Sequence, residues 1–77
     1  MKYFVICEDA LDHSSIIDEY DDIRVANEAF QNMIKEGPEY YDIGLELVQE
    51  GYDCEWETLE YHEWFTQEDW EKAHPDE

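Results

Sequence analysis

The chain has 77 residues, with 23 Asp and Glu against four Lys and Arg, a formal net charge of −19. A small domain needs only about 2–8 units of net charge to stay soluble. The excess therefore excludes a chain that grips nucleic acid through its own cations, and asks for a basic partner, multivalent cations or a high-salt habitat. A hydrophobic content of 43%, with three Trp, six Tyr and three Phe, argues against an acidic disordered tail and for one folded domain spanning residues 1–77 with a loose end.

Lys2 to Glu8 reads as a strand, nearly continuous in β-branched and aromatic residues and so expected at the centre of a sheet with both faces covered. Asp9 to Asp22 mixes acids and serines with Ile16, Ile17 and Tyr20, and reads as a long loop with at most a short extended piece. Ile23, Ala26, Phe30, Met33 and Ile34 then recur at helical spacing. Asp21 or Asp22 can cap that helix, Lys35 suits its C-terminal dipole, and Gly37-Pro38 ends it.

After Pro38 the period becomes two. Tyr41, Ile43, Leu45 and Leu47 alternate with Asp42, Gly44, Glu46 and Val48, which predicts a strand with one buried face. Gly51 supplies a reversal. A returning strand over Tyr52 to Tyr61 places Cys54, Trp56 and Thr58 on one side and Asp53, Glu55 and Glu57 on the other, with a bulge expected near Thr58 where the alternation slips. Thr66 and Asp69 form the entry to a short closing helix, with Phe65 and Trp70 at the positions of a hydrophobic staple. The fold class is α+β in the order β-α-β-β-α, a small antiparallel sheet with one helix on a face and a short C-terminal helix.

Charge and spacing together suggest a binding surface. Asp53, Glu55 and Glu57 would stand roughly 6.8 Å apart along a strand face, about twice the ~3.4 Å advance per phosphate in one DNA strand. Glu46 on the neighbouring strand extends that face if register allows. The loop acids Asp18, Glu19, Asp21 and Asp22, with Asp9 and Asp12, widen the field. Alternating charge is also simply what the wet side of a half-exposed sheet shows, but a wet side needs polarity rather than a single sign. Tyr61, Trp64 and Trp70 are candidate contact anchors, and equally candidate core residues.

Other chemistries find less support. Ser14 and Ser15 follow His13, but adjacency builds no base–nucleophile geometry and no oxyanion-loop glycines accompany them. Three glycines make no phosphate-cradling loop. The EF-hand pattern is absent, and Glu60, His62 and Glu63 with His74 make a loose metal-ligand grouping of a kind that arises easily in so acidic a chain. The reading is of a non-enzyme without cofactor or specific metal. Cys7 and Cys54 lack CxxC spacing and read as free thiols of a cytoplasmic protein, and the apolar run Tyr3–Cys7 is too short for a signal peptide or a membrane span.

In size, sign and architecture the whole chain resembles the small acidic inhibitors that phages direct against host defence, the DNA-mimic anti-restriction and anti-CRISPR proteins. That resemblance implies a partner with a basic nucleic-acid channel, action in the host cytoplasm and no catalysis by this chain. Pro38-Glu39-Tyr40-Tyr41 is also similar to a tetrapeptide of barstar-type nuclease inhibitors. There a helix follows, whereas Asp42-Ile43-Gly44-Leu45 here reads as a strand, so no residue roles carry over. Acyl carrier proteins share the length and charge, but are helical and carry an Asp-Ser-Leu site that this chain lacks.

Overall fold

The computed structural model describes residues 1–75, apart from the side chain of Cys54. The loose end expected of the chain falls partly on residues 76 and 77, outside the described residues. Four antiparallel strands and two helices follow in the order β1 (Tyr3–Asp9), β2 (Ser14–Tyr20), α1 (Ile23–Glu36), β3 (Asp42–Glu50), β4 (Trp56–Glu63) and α2 (Gln67–Ala73). The strands form one sheet in the order β2-β1-β3-β4. The fold is thus the expected small α+β architecture with one strand more.

That strand is β2, which occupies most of the segment read as a loop. It pairs with β1 from Tyr3↔Tyr20 to Glu8↔Ser14, with a shift between Val5↔Asp18 and Ile6↔Ile16. Ile17 is the extra residue, so the alternation that would announce a strand is broken inside it. β2 is also an edge strand, and every residue before Tyr20 is exposed.

The helix forms as its sequence dictates. Asp22 caps it, its side chain accepting from the Arg24 amide at 2.7 Å. Gly37 ends it at φ 85°, its amide donating to the Met33 and Ile34 carbonyls at 3.2 Å each. A left-handed stop of this kind suits glycine because it has no Cβ. Ala26 and Phe30 are fully buried and pack with Val5, Leu45 and Leu47, while Tyr3, Cys7, Tyr20, Met33, Ile34 and Trp64 close around them. Ile23, at the start of the stripe, remains 40% exposed.

α1 lies over β1, β2 and β3. The short helix α2 closes one end of the sheet. Thr66 caps it, accepting from the Asp69 amide at 3.0 Å. Trp70 is buried and donates its indole N–H to the Tyr40 carbonyl at 2.8 Å, and Gln67 reaches the Ala10 carbonyl at 2.9 Å. The smallest principal-axis extent is 15 Å, room for a sheet and one helix layer but not for a third. β1 is central, as expected, yet only one of its faces is covered by another layer.

The returning strand starts later than the alternation suggests. Tyr52–Cys54 form a single 3-10 turn with Asp53 at φ 59°, and β4 begins at Trp56. The bulge expected near Thr58 is present: Leu47 pairs with Glu60 and Val48 with Thr58, leaving Leu59 as the extra residue.

Candidate protein interface on the uncovered sheet face

Strand register assigns each acidic side chain to a face, because directly paired residues point the same way and successive residues point oppositely. Val5, Leu45 and Leu47 face α1. Glu57 pairs with Gln49 and Glu60 with Leu47, so both lie on the α1 side, as does Asp18 opposite Val5. Asp53 and Glu55 sit in the turn between β3 and β4 and belong to no strand face. The expected row of Asp53, Glu55 and Glu57 therefore does not form. Glu46 points away from Glu57, its carboxylate accepting from the Thr58 hydroxyl at 2.7 Å on the opposite side of the sheet.

The remaining expected residues lie at the far edge. β2 and β4 are the outermost strands, three strand spacings or roughly 14 Å apart. Glu19, opposite Phe4, shares the uncovered face with Glu46. Asp21 and Asp22 follow β2. Lys2 bridges Glu19 at 3.5 Å and Asp21 at 3.2 Å, and these two carboxylates, Asp21 first, raise its pKa. Asp22 is committed to capping α1.

What the uncovered face does bring together is a different set. Phe4, Ile6 and Glu8 of β1 lie beside Gly44, Glu46, Val48 and Glu50 of β3. Trp56, Thr58, Tyr61 and Glu63 of β4 continue the surface on one side, Ile16 and Glu19 of β2 on the other. Phe4 and Trp56 stack with ring centroids 5.0 Å apart and planes 19° apart. Ile6 and Val48 are buried beneath such neighbours, whereas Ile16, Trp56 and Tyr61 are 53%, 45% and 44% exposed. Five carboxylates, Glu8, Glu19, Glu46, Glu50 and Glu63, are interleaved with this apolar surface.

Tyr61 shows how tightly the two chemistries are meshed. Its ring lies across Gly44, where an added Cβ would collide with the hydroxyl and stand 2.9 Å from Cζ. Its hydroxyl donates to Glu8 at 3.4 Å. Partial burial, then the charges of Glu8 and Glu63, raise its pKa, so it stays a neutral donor in a negative field. The glycine inside the β3 alternation was the legible sign of this close approach.

The other two anchor candidates resolve differently. Trp64 packs against the core, and Trp70 is buried among Tyr41 and His74, with which it stacks. The exposed tryptophan is Trp56, which the alternation had placed opposite the acidic row.

A second acidic region lies on the α1 side, a cavity of about 450 Å³ between the end of α1 and the sheet, with Cys7, Met33 and Trp64 beside Asp9, Glu39 and Asp42. Burial, then the Asp42, Asp9 and Glu39 carboxylates, push the Cys7 thiol up to about 12, so it carries no thiolate at neutral pH. Two of these carboxylates serve the local chain: Asp9 accepts from the Leu11 and His13 amides, Asp42 from the Glu39 amide.

Among the described residues, no group of three or more His, Cys, Asp or Glu is arranged to hold a metal ion. In the grouping considered from sequence, Glu63 points to the uncovered face while Glu60 and His62 point to the α1 side. No helix of the described residues is long and apolar enough to cross a membrane. Compared with models of protein families, with curated proteins and with solved structures, the chain matches none.

Proposed function

We propose that this chain is a non-catalytic inhibitor whose carboxylates take the place of nucleic-acid phosphates and occupy a basic nucleic-acid-binding site on a partner protein. The partner class that fits is a host defence nuclease or effector complex, met in the host cytoplasm. The observation that carries this reading is unpaired negative charge. Among the described residues, the ion pairs join Lys2, Arg24 and Lys72 to Glu19, Asp21, Asp22 and Glu68, all on exposed side chains. Four Lys and Arg cannot neutralise 23 carboxylates, and the mutual repulsion of the excess opposes folding. A basic partner surface relieves that repulsion and releases counterions, as a nucleic acid does when it docks.

A second reading has its own observation. Exposed Trp56 and Ile16 amid the carboxylates are what a protein-binding surface offers, and phosphate imitation does not require them. Under that reading the chain is an acidic adaptor that binds a basic patch and leaves the nucleic-acid site free. Capture of the partner from a bacterial lysate, followed by competition with labelled DNA or RNA, separates the two. Displacement of the chain by nucleic acid, with affinity falling steeply as salt rises, supports the inhibitor. A ternary complex of partner, nucleic acid and this chain overturns it in favour of the adaptor.

A further inference from the structure

Resting on the reading that the partner is basic, we infer that the uncovered face of the sheet is the docking surface and that it selects arginine over lysine, with Trp56 as the anchor. The α1 side presents its acids around a helix, a cavity and local turns. The uncovered face presents them around a flat aromatic platform, and three features of that platform point to guanidinium groups.

The first is the stack of Phe4 on Trp56, which fixes the indole and leaves it 45% exposed. An indole so held accepts a planar guanidinium on its free surface, an arrangement open to Arg through both stacking and cation–π attraction. The second is placement of charge. Glu50 pairs directly with Trp56 across β3 and β4, and Glu46 lies four residues back along β3 on the same face. An arginine stacked on the ring therefore has a carboxylate beside it for paired N–H donation, which a lysine ammonium cannot match in geometry. The third is spacing. Glu8 and Glu63 flank Gly44 at the other end of the face, with Tyr61 between them and the platform. The face can thus seat several arginines at once, with the stems lying over Val48, Ile6 and Ile16. Charge complementarity names the occupant: a partner surface rich in Arg, of the kind that grips a phosphate backbone.

The test uses fluorescently labelled oligo-arginine and oligo-lysine peptides of equal length, with binding to the intact chain followed by anisotropy at several salt concentrations. The arginine peptide is expected to bind roughly three- to fivefold tighter than the lysine peptide. Trp56→Ala should remove that preference and weaken the arginine peptide roughly tenfold, while Trp56→Phe retains part of it. Glu46→Gln with Glu50→Gln should weaken binding several-fold more than Glu57→Gln with Glu60→Gln, which removes the same charge from the α1 side. For the unaltered chain, amide NMR shifts on adding the arginine peptide should concentrate at Phe4, Ile6, Glu46, Val48, Thr58 and Tyr61. Equal losses from the two Gln pairs, equal affinity for both peptides, or shifts centred on α1 would overturn the inference and leave the basic-partner reading standing. Failure of both peptides to bind at low salt would overturn that reading as well.

Discussion

The two faces of the sheet carry similar numbers of side chains and solve opposite problems. On the α1 side Phe30, Val5 and Ala26 are fully buried, and the acids are pushed to edges and turns. On the other side no helix layer covers the described sheet, yet it too holds buried apolar side chains: Val48 is 2% and Ile6 8% exposed. One face is a core and the other is a surface with core-like texture. Stability should therefore reside on the first and recognition on the second.

Substitutions can break that division or sharpen it. The largest expected effect is from Phe30→Ala, at about 3–5 kcal/mol. A domain of this size has little more than that to lose, so circular dichroism should show a chain largely unfolded at room temperature. Trp56→Ala on the opposite face should leave the melting curve within about 1 kcal/mol of the parent; a loss equal to that from Phe30→Ala would abolish the distinction drawn between the faces.

Gly44→Ala comes next. The new methyl group must displace the Tyr61 ring and its hydrogen bond to Glu8, at a cost of about 1 kcal/mol. In a Tyr61→Ala background the same change should be neutral or stabilising, because glycine weakens a strand interior. Denaturant melts of the four variants in that cycle measure the coupling. A penalty unaffected by Tyr61 would place the close approach elsewhere.

Smaller still is the response to salt. With repulsion dominant and the ion pairs exposed, raising ionic strength from about 0.01 M to about 0.15 M shortens the screening length from ~30 Å to ~8 Å and should stabilise the fold. A gain of about 0.5–1 kcal/mol would raise Tm by several degrees. A flat or falling Tm would mean the carboxylates are less crowded than their number implies.

The least effect on stability at neutral pH attaches to Cys7. Its raised pKa means the folded state holds the thiol proton more tightly than the unfolded chain. That contribution is intact below the ordinary thiol range and is lost as pH climbs toward about 12. In a Cys54→Ser variant, alkylation of Cys7 should stay slow through mildly alkaline pH. Asp42→Asn, which removes one of the charges opposing the thiolate, should bring the onset to lower pH.

How much of this was legible in the sequence depends on whether the signals were local. For α1, the cap at Asp22, the apolar stripe and the stop at Gly37 lie within one segment and agree, so the helix could be read whole. Of the strands, β2 escaped because of its bulge, whereas the bulge in β4 near Thr58 was legible from the slipped alternation. Ile16 and Ile17 look like an interruption of any alternation, and only the pairing to β1 shows that one serves the uncovered face while the other lines the α1-side cavity. The acidic row failed for a related reason. Asp53 takes a left-handed turn conformation, so the period two that runs through Asp53, Glu55 and Glu57 begins before the strand does. Of the residues singled out as contacts, Glu46, Glu19 and the anchor candidate Tyr61 lie on the candidate surface. Glu8, Glu50, Glu63 and Trp56 join them through cross-strand register, which sequence spacing does not encode.

The bare outer edge of β2 gives the charge a further consequence. That strand offers unpaired backbone groups beside Ile16 and Ile17, half exposed, which is the usual template for one copy to add onto another and start a fibril. At neutral pH the net charge of −19 makes each molecule repel the next and opposes pairing at that edge. Near the isoelectric point of about 4.1 that repulsion is gone while the template remains. Mild acid should therefore convert a monodisperse solution into one that scatters light and binds thioflavin, and a single Lys in place of Ile17 should delay it.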